Sequence, residues 1–328
     1  MSVAGSSEVQ TLRRLTISVV IPTYQRPDYL DRCVRSFFNQ THLPDEIILV
    51  SRDADESTNQ KVIALQKELG QTIPICNPHV SEPGFLPPIK KGIESAKHDI
   101  VVFLDDDAEA FPDWLERIVA LYDNPDVGGV GGRCINYFNF KLVTYPKADK
   151  VGHLSWYGRI VGNMYKDTTF SHPVEVDSLM GGNMSYRRHL LSQIKIDPVI
   201  NSNVAFHWEL DMAQQVKKLG FNLLFDPMIK INHYSAPREV DGLRTVNSDG
   251  VYYSNFNYSY LMLKHLTLPG KLAYLLYTFL VGSQLSSGLL HLMVQIIRGK
   301  TIDWNSDIVP SLKGRISGIS THLRKPPR

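Results

Sequence analysis

Apolar and polar positions alternate between two periods along the first hundred residues. Thr16-Ile17-Ser18-Val19-Val20-Ile21 is a β-branched run with strand character, and it stops at Pro22-Thr23-Tyr24-Gln25-Arg26-Pro27, where two prolines mark a loop. From Pro27 to Gln40 the period lengthens, and Leu30, Val34, Phe37 and Phe38 share one helical face. Glu46-Ile47-Ile48-Leu49-Val50 returns as a strand, followed by the acidic loop Ser51 to Ser57, with Ser57 placed to cap a helix carrying Val62, Leu65 and Leu69 up to Gly70. A short strand at Ile73 to Cys76, the loop Val80 to Phe85 and a helix around Pro88 to Lys97 lead to Ile100-Val101-Val102-Phe103-Leu104. Strands alternating with helices predict an open, mostly parallel α/β sheet with its loops of interest on one edge.

The run at 100–104 ends on Asp105-Asp106-Asp107. Five uncharged residues read as a buried central strand, and ligands of open α/β sheets gather beyond the carboxyl ends of such strands. Three adjacent carboxylates repel one another unless a cation or a ring of donors compensates, so they point to a divalent metal; capping the loop before the Pro112 helix is the plainer alternative. In an extended segment Asp105 and Asp107 share a side and Asp106 faces away. Oxygen ligands suit magnesium or manganese.

Composition narrows the classes. The chain has 328 residues, 43% hydrophobic and 21% charged, with a formal net charge of +2, and no basic stripe interleaved with aromatics argues for nucleic acid. Cys33, Cys76 and Cys134 stand singly, as reduced core cysteines of a cytosolic protein do, and Met1 to Gln10 is polar without the apolar core of a signal peptide. No Gly-x-Gly-x-x-Gly follows the first strand, which disfavours an ordinary NAD site, and no Walker-type phosphate loop is present. Gly128-Gly129-Val130-Gly131-Gly132 lacks the context of a phosphate cradle and reads as close-packed strand.

Val19 to Arg26, Glu46 to Val50, and Phe103 to Asp107 with Pro112-Asp113-Trp114-Leu115 resemble the nucleotide half of a family 2 glycosyltransferase. Gly181-Gly182-Asn183-Met184-Ser185-Tyr186-Arg187-Arg188 resembles that family's acceptor-side segment, and Trp208-Glu209-Leu210-Asp211 with Gly220-Phe221 its acidic catalytic helix. The resemblance covers roughly residues 15 to 235 and implies a GT-A fold, a Rossmann-like, mostly parallel sheet flanked by helices. The expected organisation is a flexible stretch at 1–14, a GT-A domain at 15–240 (nucleotide-sugar half 15–125, acceptor half 126–240), and a helical, membrane-associating extension at 241–328.

The resemblance also implies a site. Asp105 and Asp107 form its Asp-x-Asp element, Asp107 on the metal and Asp105 on metal or ribose, with His233 either completing the shell or serving structure. Pro22, Thr23, Tyr24, Arg26 and Asp106 would line the nucleotide-sugar pocket. Asp53 would bind base or ribose, although Ser51 and Arg52 stand where the family carries paired carboxylates, so a turn-forming Asp is the alternative. Lys90 meets phosphate or is a solvated surface charge. Gly182, Asn183 and Trp208 would face the acceptor, and the segment Trp156 to Asn163 is either a sugar-contacting loop or a core edge. His207 is a further candidate for acceptor or diphosphate.

An inverting transfer needs a carboxylate to take the acceptor proton. Glu209 and Asp211 are the candidates; they do not share a helical face, and Glu209 fits the family position better. The expected function is metal-dependent transfer of a sugar from a nucleoside diphosphate sugar to a saccharide or lipid-linked acceptor, in polysaccharide or glycoconjugate synthesis. A non-catalytic sugar-nucleotide-binding or scaffold protein, and a nucleotidyltransferase, are the alternatives.

No Asp, Glu, Lys or Arg occurs from Leu272 to Ile297, yet Gly282, Ser283, Gln284, Ser286, Ser287, Gly288 and His291 interrupt the run. Attachment to a membrane surface is the expectation, with a span or packing in a homo-oligomer as alternatives. Lys313, Arg315, Arg324, Lys325 and Arg328 would suit anionic lipid on the inner, cytoplasmic face of the plasma membrane.

Overall fold

The computed structural model describes residues 14–202, 205–236, 248–283 and 286–324. The expected boundary at 240 and nearly all of the N-terminal stretch lie outside them. Elements run β1 (Ile17–Pro22), α1 (Pro27–Ser36), β2 (Glu46–Arg52), α2 (Glu56–Leu69), β3 (Ile75–Cys76), β4 (His79–Val80), α3 (Leu86–Ser95), β5 (Ile100–Leu104), β6 (Ala108–Ala110) and α4 (Trp114–Leu121). Then come β7 (Val127–Phe138), β8 (Lys141–Leu142), β9 (His153–Leu154), β10 (Ile160–Val161), β11 (Val174–Val176), β12 (Asn183–Arg187), α5 (Arg188–Leu191), α6 (Trp208–Lys218) and β13 (Asn222–His233). The C-terminal part contains α7 (Ser248–His265), α8 (Leu268–Leu276), β14 (Gly282–Ser283), β15 (Ser286–Ser287), α9 (Leu289–Ile297) and α10 (Val309–Arg324).

The main sheet has the order β11-β13-β7-β12-β5-β1-β2-β3. Strands β5, β1, β2 and β3 are parallel, as the alternating pattern predicts. The other half corrects a simple parallel picture: β12 runs antiparallel to both β5 and β7, and β11 antiparallel to β13, so the sheet is mixed. Side-chain alternation splits each central strand between two cores. Val19, Ile21, Ile47, Leu49, Ile100 and Val102 pack under α1, α2 and α4. Val20, Ile48, Val50, Val101 and Phe103 pack under α3, α6 and α7. The glycine run lies inside β7 as close-packed strand.

Smaller differences have local causes. Asp55, not Ser57, caps α2, its carboxylate accepting from the Thr58 N–H. Helix α6 buries Trp208, Met212 and Val216 as expected, but Leu219 at its end is exposed. Cys33 and Cys134 are buried and all three cysteines are free.

The C-terminal helices do not form a detached unit, since Tyr260 and Leu261 of α7 belong to the main core. Among the described residues, no helix is long and apolar enough to cross a membrane. The charge-free run is broken into α8, a π turn at Tyr277–Val281, the β14–β15 pair and α9. Arg315 is not a tail charge: it is buried, and it donates to the carbonyls of Thr278, Ser287 and Ser311. The bonds to Thr278 and Ser287 satisfy backbone that the π turn and the β14–β15 pair leave outside a regular ladder, while Ser311 lies one turn back in α10 itself.

Candidate active site

Parallel pairing of β5, β1 and β2 brings three loops to one edge of the sheet, with Val20 opposite both Ile48 and Phe103. The first loop is pinned by its backbone: Thr23 N–H donates to Val50 O at 2.9 Å and Gln25 N–H to the Asp55 carboxylate at 2.6 Å, with Gln25 left-handed at φ 54°. Tyr24 is exposed, and the Arg52 guanidinium lies 4.4 Å above its ring while reaching Gly84 O. Arg52, the last residue of β2, and Asp55, just beyond it in the acidic loop, therefore shape the first loop, roles for which the acidic loop after a parallel strand is the only local signal. Pro22 closes β1 opposite Val50. Asp53 is exposed on the turn beyond β2. Lys90 is also exposed, as its alternative of a solvated surface charge requires, and lies 3.8 Å from Glu94 one helical turn on.

The three acids part company. Asp106 is buried, 2.9 Å from Arg26 Nη1, so it faces the protein and not a pocket, and Arg26 is likewise engaged instead of free for phosphate. Burial outweighs Arg26 and, with the Asp107 charge, pushes Asp106 up to about 6. Asp105 and Asp107 instead converge with His233: their candidate ligand atoms all lie within 4.8 Å of one another. His233 Nε2 is 3.2 Å from Asp107 Oδ1 and 3.7 Å from Asp105 Oδ2.

The convergence is built by long-range pairing. Antiparallel contact of β13 with β6 sets His233 opposite Ala108, and Tyr234 N–H donates to Asp107 O at 2.9 Å. Ala236 N–H holds Asp107 Oδ2 at 2.8 Å, and Asn136 Oδ1 lies 3.0 Å from His233 Nδ1. With Nδ1 donating to Asn136, the neutral ring turns its lone pair at Nε2 toward the carboxylates, the orientation that second-shell partners give metal-binding histidines. Two hard oxygens and an imidazole, with Asp107 and His233 held from behind, fit a divalent ion such as Mn2+ or Mg2+.

Phe103 meets Trp208 nearly edge-on at 6.0 Å, which sets the α6 side of β5. Asp105 continues on that side and passes over Gly182, where a Cβ would strike its carboxylate. Gly181 makes the same room for the Trp208 indole. Trp208 itself is buried against Phe85 and Phe103, and Asn183 is buried with Trp114 Nε1 donating to it at 2.9 Å. Neither side chain offers an acceptor surface, because both are spent on packing the floor beneath the acids.

Glu209 and Asp211 point apart. Burial, reinforced by the charge of Asp105, pushes Glu209 up to about 7. Asp211 is buried on the far side of α6, 2.8 Å from Lys264 Nζ and 2.6 Å from His265 Nε2. Expected as a second catalytic acid, it instead bolts α6 to α7. His207 caps the helix in a left-handed conformation, packs on Tyr258 and lies 3.2 Å from Ser254 Oγ. Burial pulls its pKa down to about 4, which keeps it neutral. The loop 155–163 is seated on the C-terminal helices: Tyr258 Oη donates to Gly158 O and Tyr157 packs on Tyr277.

Comparison with known proteins gives the same assignment. The chain is 29% identical over 185 residues to a glucosyl-dolichyl phosphate glucuronosyltransferase of Haloferax volcanii, covering 55% of each protein, so it spans about half the length of that relative. In fold it is similar to GalNAc-T7 with UDP, GalNAc and Mn2+ (TM-score 0.59, 17% identity, 97% of this chain and 59% of the other). It is also similar to a Pyrobaculum calidifontis mannosyltransferase in complex with GDP-Man and Mn2+ (TM-score 0.57, 14% identity, 96% and 82%). At such identities these likenesses speak for the fold, which is GT-A. The family profile Glycosyl transferase family 2 matches residues 18–195, more than half of the sequence, and the chain therefore belongs to glycosyl transferase family 2.

Proposed function

We propose that this chain is an inverting glycosyltransferase that moves a sugar from a nucleoside diphosphate sugar to a hydroxyl of a saccharide or lipid-linked acceptor. The observation that carries the reading is the desolvated Glu209 carboxyl in the field of Asp105, beside the Asp105–Asp107–His233 cluster. Glu209 takes the acceptor proton as the acceptor oxygen bonds to the anomeric carbon, and the bond from that carbon to the diphosphate breaks on the opposite face. A carboxylate with its pKa near neutrality is well matched to that proton transfer. Asp105, Asp107 and His233 would hold Mn2+ or Mg2+, whose charge offsets that of the diphosphate leaving group when bound. The Arg26–Asp106 pair and Ala236 N–H keep Asp107 aimed at that ion. Tyr24 and Arg52 form the wall on the nucleotide side.

The lipid-linked acceptor class draws support from the Haloferax relative, named for a dolichyl phosphate substrate. The cytoplasmic setting and a role in polysaccharide or glycoconjugate synthesis are kept with this reading. The test is a panel of nucleoside diphosphates measured by thermal shift with and without Mn2+. The expected result is a shift from at least one of them that grows with the metal, because a ligand stabilises the state that binds it. No shift with any of them would sink the donor site. Glu209→Gln should keep the shift and lose transfer.

A further inference from the structure

The C-terminal helices are inside out. In α9, Leu289, Leu290, Met293, Val294, Ile296 and Ile297 are exposed, Ile297 at 80%, while the more sheltered face carries His291 and Gln295, hydrogen-bonded to each other. The helix has no buried residue. In α10, Ser311, Gly314, Arg315 and Gly318 face inward, the two glycines letting the helix touch the α7 backbone at Tyr252 and Phe256. Leu312, Ile316 and Leu323 face outward. Helix α8 adds Leu268, Leu272 and Leu276. A groove of about 500 Å³ between Leu275 and Phe279 on one side and Ile316, Ile319 and Leu323 on the other joins these surfaces. A water-facing helix turns its polar face outward, so this inversion describes a protein whose solvent on that side is apolar.

We propose that this face docks on a lipid bilayer, α8, α9 and α10 entering one leaflet without crossing it. Charge selects lipid over a second copy of the chain. Lys271 and Arg298 bracket a run of 26 residues, 272–297, that has no charge, and Lys300, Lys313 and Arg324 follow along the chain, five cations against the exposed acids Asp303 and Asp307, a basic surplus suited to anionic headgroups. In a two-fold dimer this surplus would instead meet itself. Trp304 and Trp156, both more than half exposed, stand beside the face as residues that settle at headgroup depth. Broken backbone is what lipid tolerates least; at the π turn Tyr277–Val281 and the β14–β15 pair Arg315 donates to the carbonyls of Thr278 and Ser287, and a second π turn, Trp304–Ile308, is capped by the Asp303 carboxylate. The inference is independent of the transferase reading.

The test is flotation of the full chain with vesicles of phosphatidylcholine, alone or with one third phosphatidylglycerol. Anionic vesicles should bind it at least about tenfold better at low salt, the advantage of a few basic residues near the surface. Met293→Glu with Ile297→Glu, placed on a helix that buries nothing, should cut binding by tenfold or more with Tm unchanged. Brominated acyl chains should quench the wild-type tryptophan fluorescence, and the quenching should fall in a Trp156→Phe/Trp304→Phe protein. Absence of binding to both vesicles, or quenching that survives the double Phe change, overturns the proposal. So does a wild-type dimer that the double Glu change splits while vesicle binding persists.

Discussion

Replacing Glu209 by Gln should remove activity and raise stability together, in a pH-dependent way that ordinary damage would not mimic. The side chain's pKa stands at about 7 in the fold against an ordinary 4.5, because the charged form is desolvated and faces Asp105. A carboxyl raised on folding costs nothing while it is protonated in both states. Between pH 4.5 and 7 the unfolded chain has released the proton that the native state keeps, so stability falls with rising pH and levels off above 7. A gap of about 2.5 pK units at 1.36 kcal/mol each is roughly 3 kcal/mol, an upper figure because water relaxes a partly accessible group. At pH 8 the Gln protein should therefore be the more stable by up to ~3 kcal/mol, several degrees in Tm, and at pH 4 the two should coincide. Turnover should drop by about 10²- to 10⁴-fold, the worth of a general base, with nucleotide affinity retained. Wild-type kcat/KM should rise with pH around 7, with the midpoint displaced downward by a bound divalent cation. Circular dichroism melts at several pH values, beside initial rates, measure all of this. Parallel Tm curves would show the carboxylate to be solvated, and surviving turnover would assign the base elsewhere.

Asp211→Asn should behave in the opposite sense, lowering stability by about 1–3 kcal/mol because His265 and Lys264 lose a buried charged partner while Lys264 keeps Asp197, as calorimetry would record. Nucleotide binding per folded molecule should be untouched. Asp107→Asn, and separately His233→Ala, should abolish the part of the nucleotide thermal shift that depends on Mn2+ while keeping any metal-independent part. Arg315→Met should expose the chain around Thr278 and Ser287 to limited proteolysis and lower Tm, since the carbonyls of these two residues lose their donor at about 1 kcal/mol or more each.

What the sequence discloses and what it withholds follow one physical line. Strand and helix order in the first half was readable because period-2 and period-3.6 patterns are local, and β1, β2 and β5 each divide their side chains between two cores as such patterns require. The convergence of Asp105 and Asp107 fits the expectation, but not through strand alternation: residues 105–107 leave β5 as a turn, and Arg26 Nη1 reaches Asp106 at 2.9 Å and Asp107 at 3.4 Å. Contacts between distant residues were not readable. Asn183 and Asp106 are polar, lie in motif segments and look available, yet Trp114 and Arg26 occupy them across 69 and 80 residues. Arg315, read as one of a basic tail, is a buried donor because the helix that bears it presents glycines and serine to α7 and must bury something polar beside the broken hairpin. The mixed sheet escaped for the same reason: antiparallel β12 inserts between β5 and β7 from nearly eighty residues downstream of β5.

Helix α6 explains why one acidic helical turn yields two different chemistries. Residues 209 and 211 are separated by about 200° around a helix, so a helix lying between the sheet edge and α7 must direct one carboxylate to each. Glu209 is left desolvated beside Asp105, whereas Asp211 gains Lys264 and His265. The position of Glu209 is thus set from behind, by a buried ionic bond to α7. Helix α7 in turn carries α10 on close glycine contacts, and α10 holds the broken apolar segment through Arg315. The candidate site and the apolar face are thus joined by successive helix contacts, α6 to α7 and α7 to α10. A lipid-linked acceptor held in a leaflet would accordingly meet Glu209 at a height set by this helix packing. Activity toward a lipid-linked acceptor in vesicles should then fall with the Met293→Glu/Ile297→Glu change, while activity toward a water-soluble saccharide acceptor stays at the wild-type level; equal loss on both would break this account of the packing.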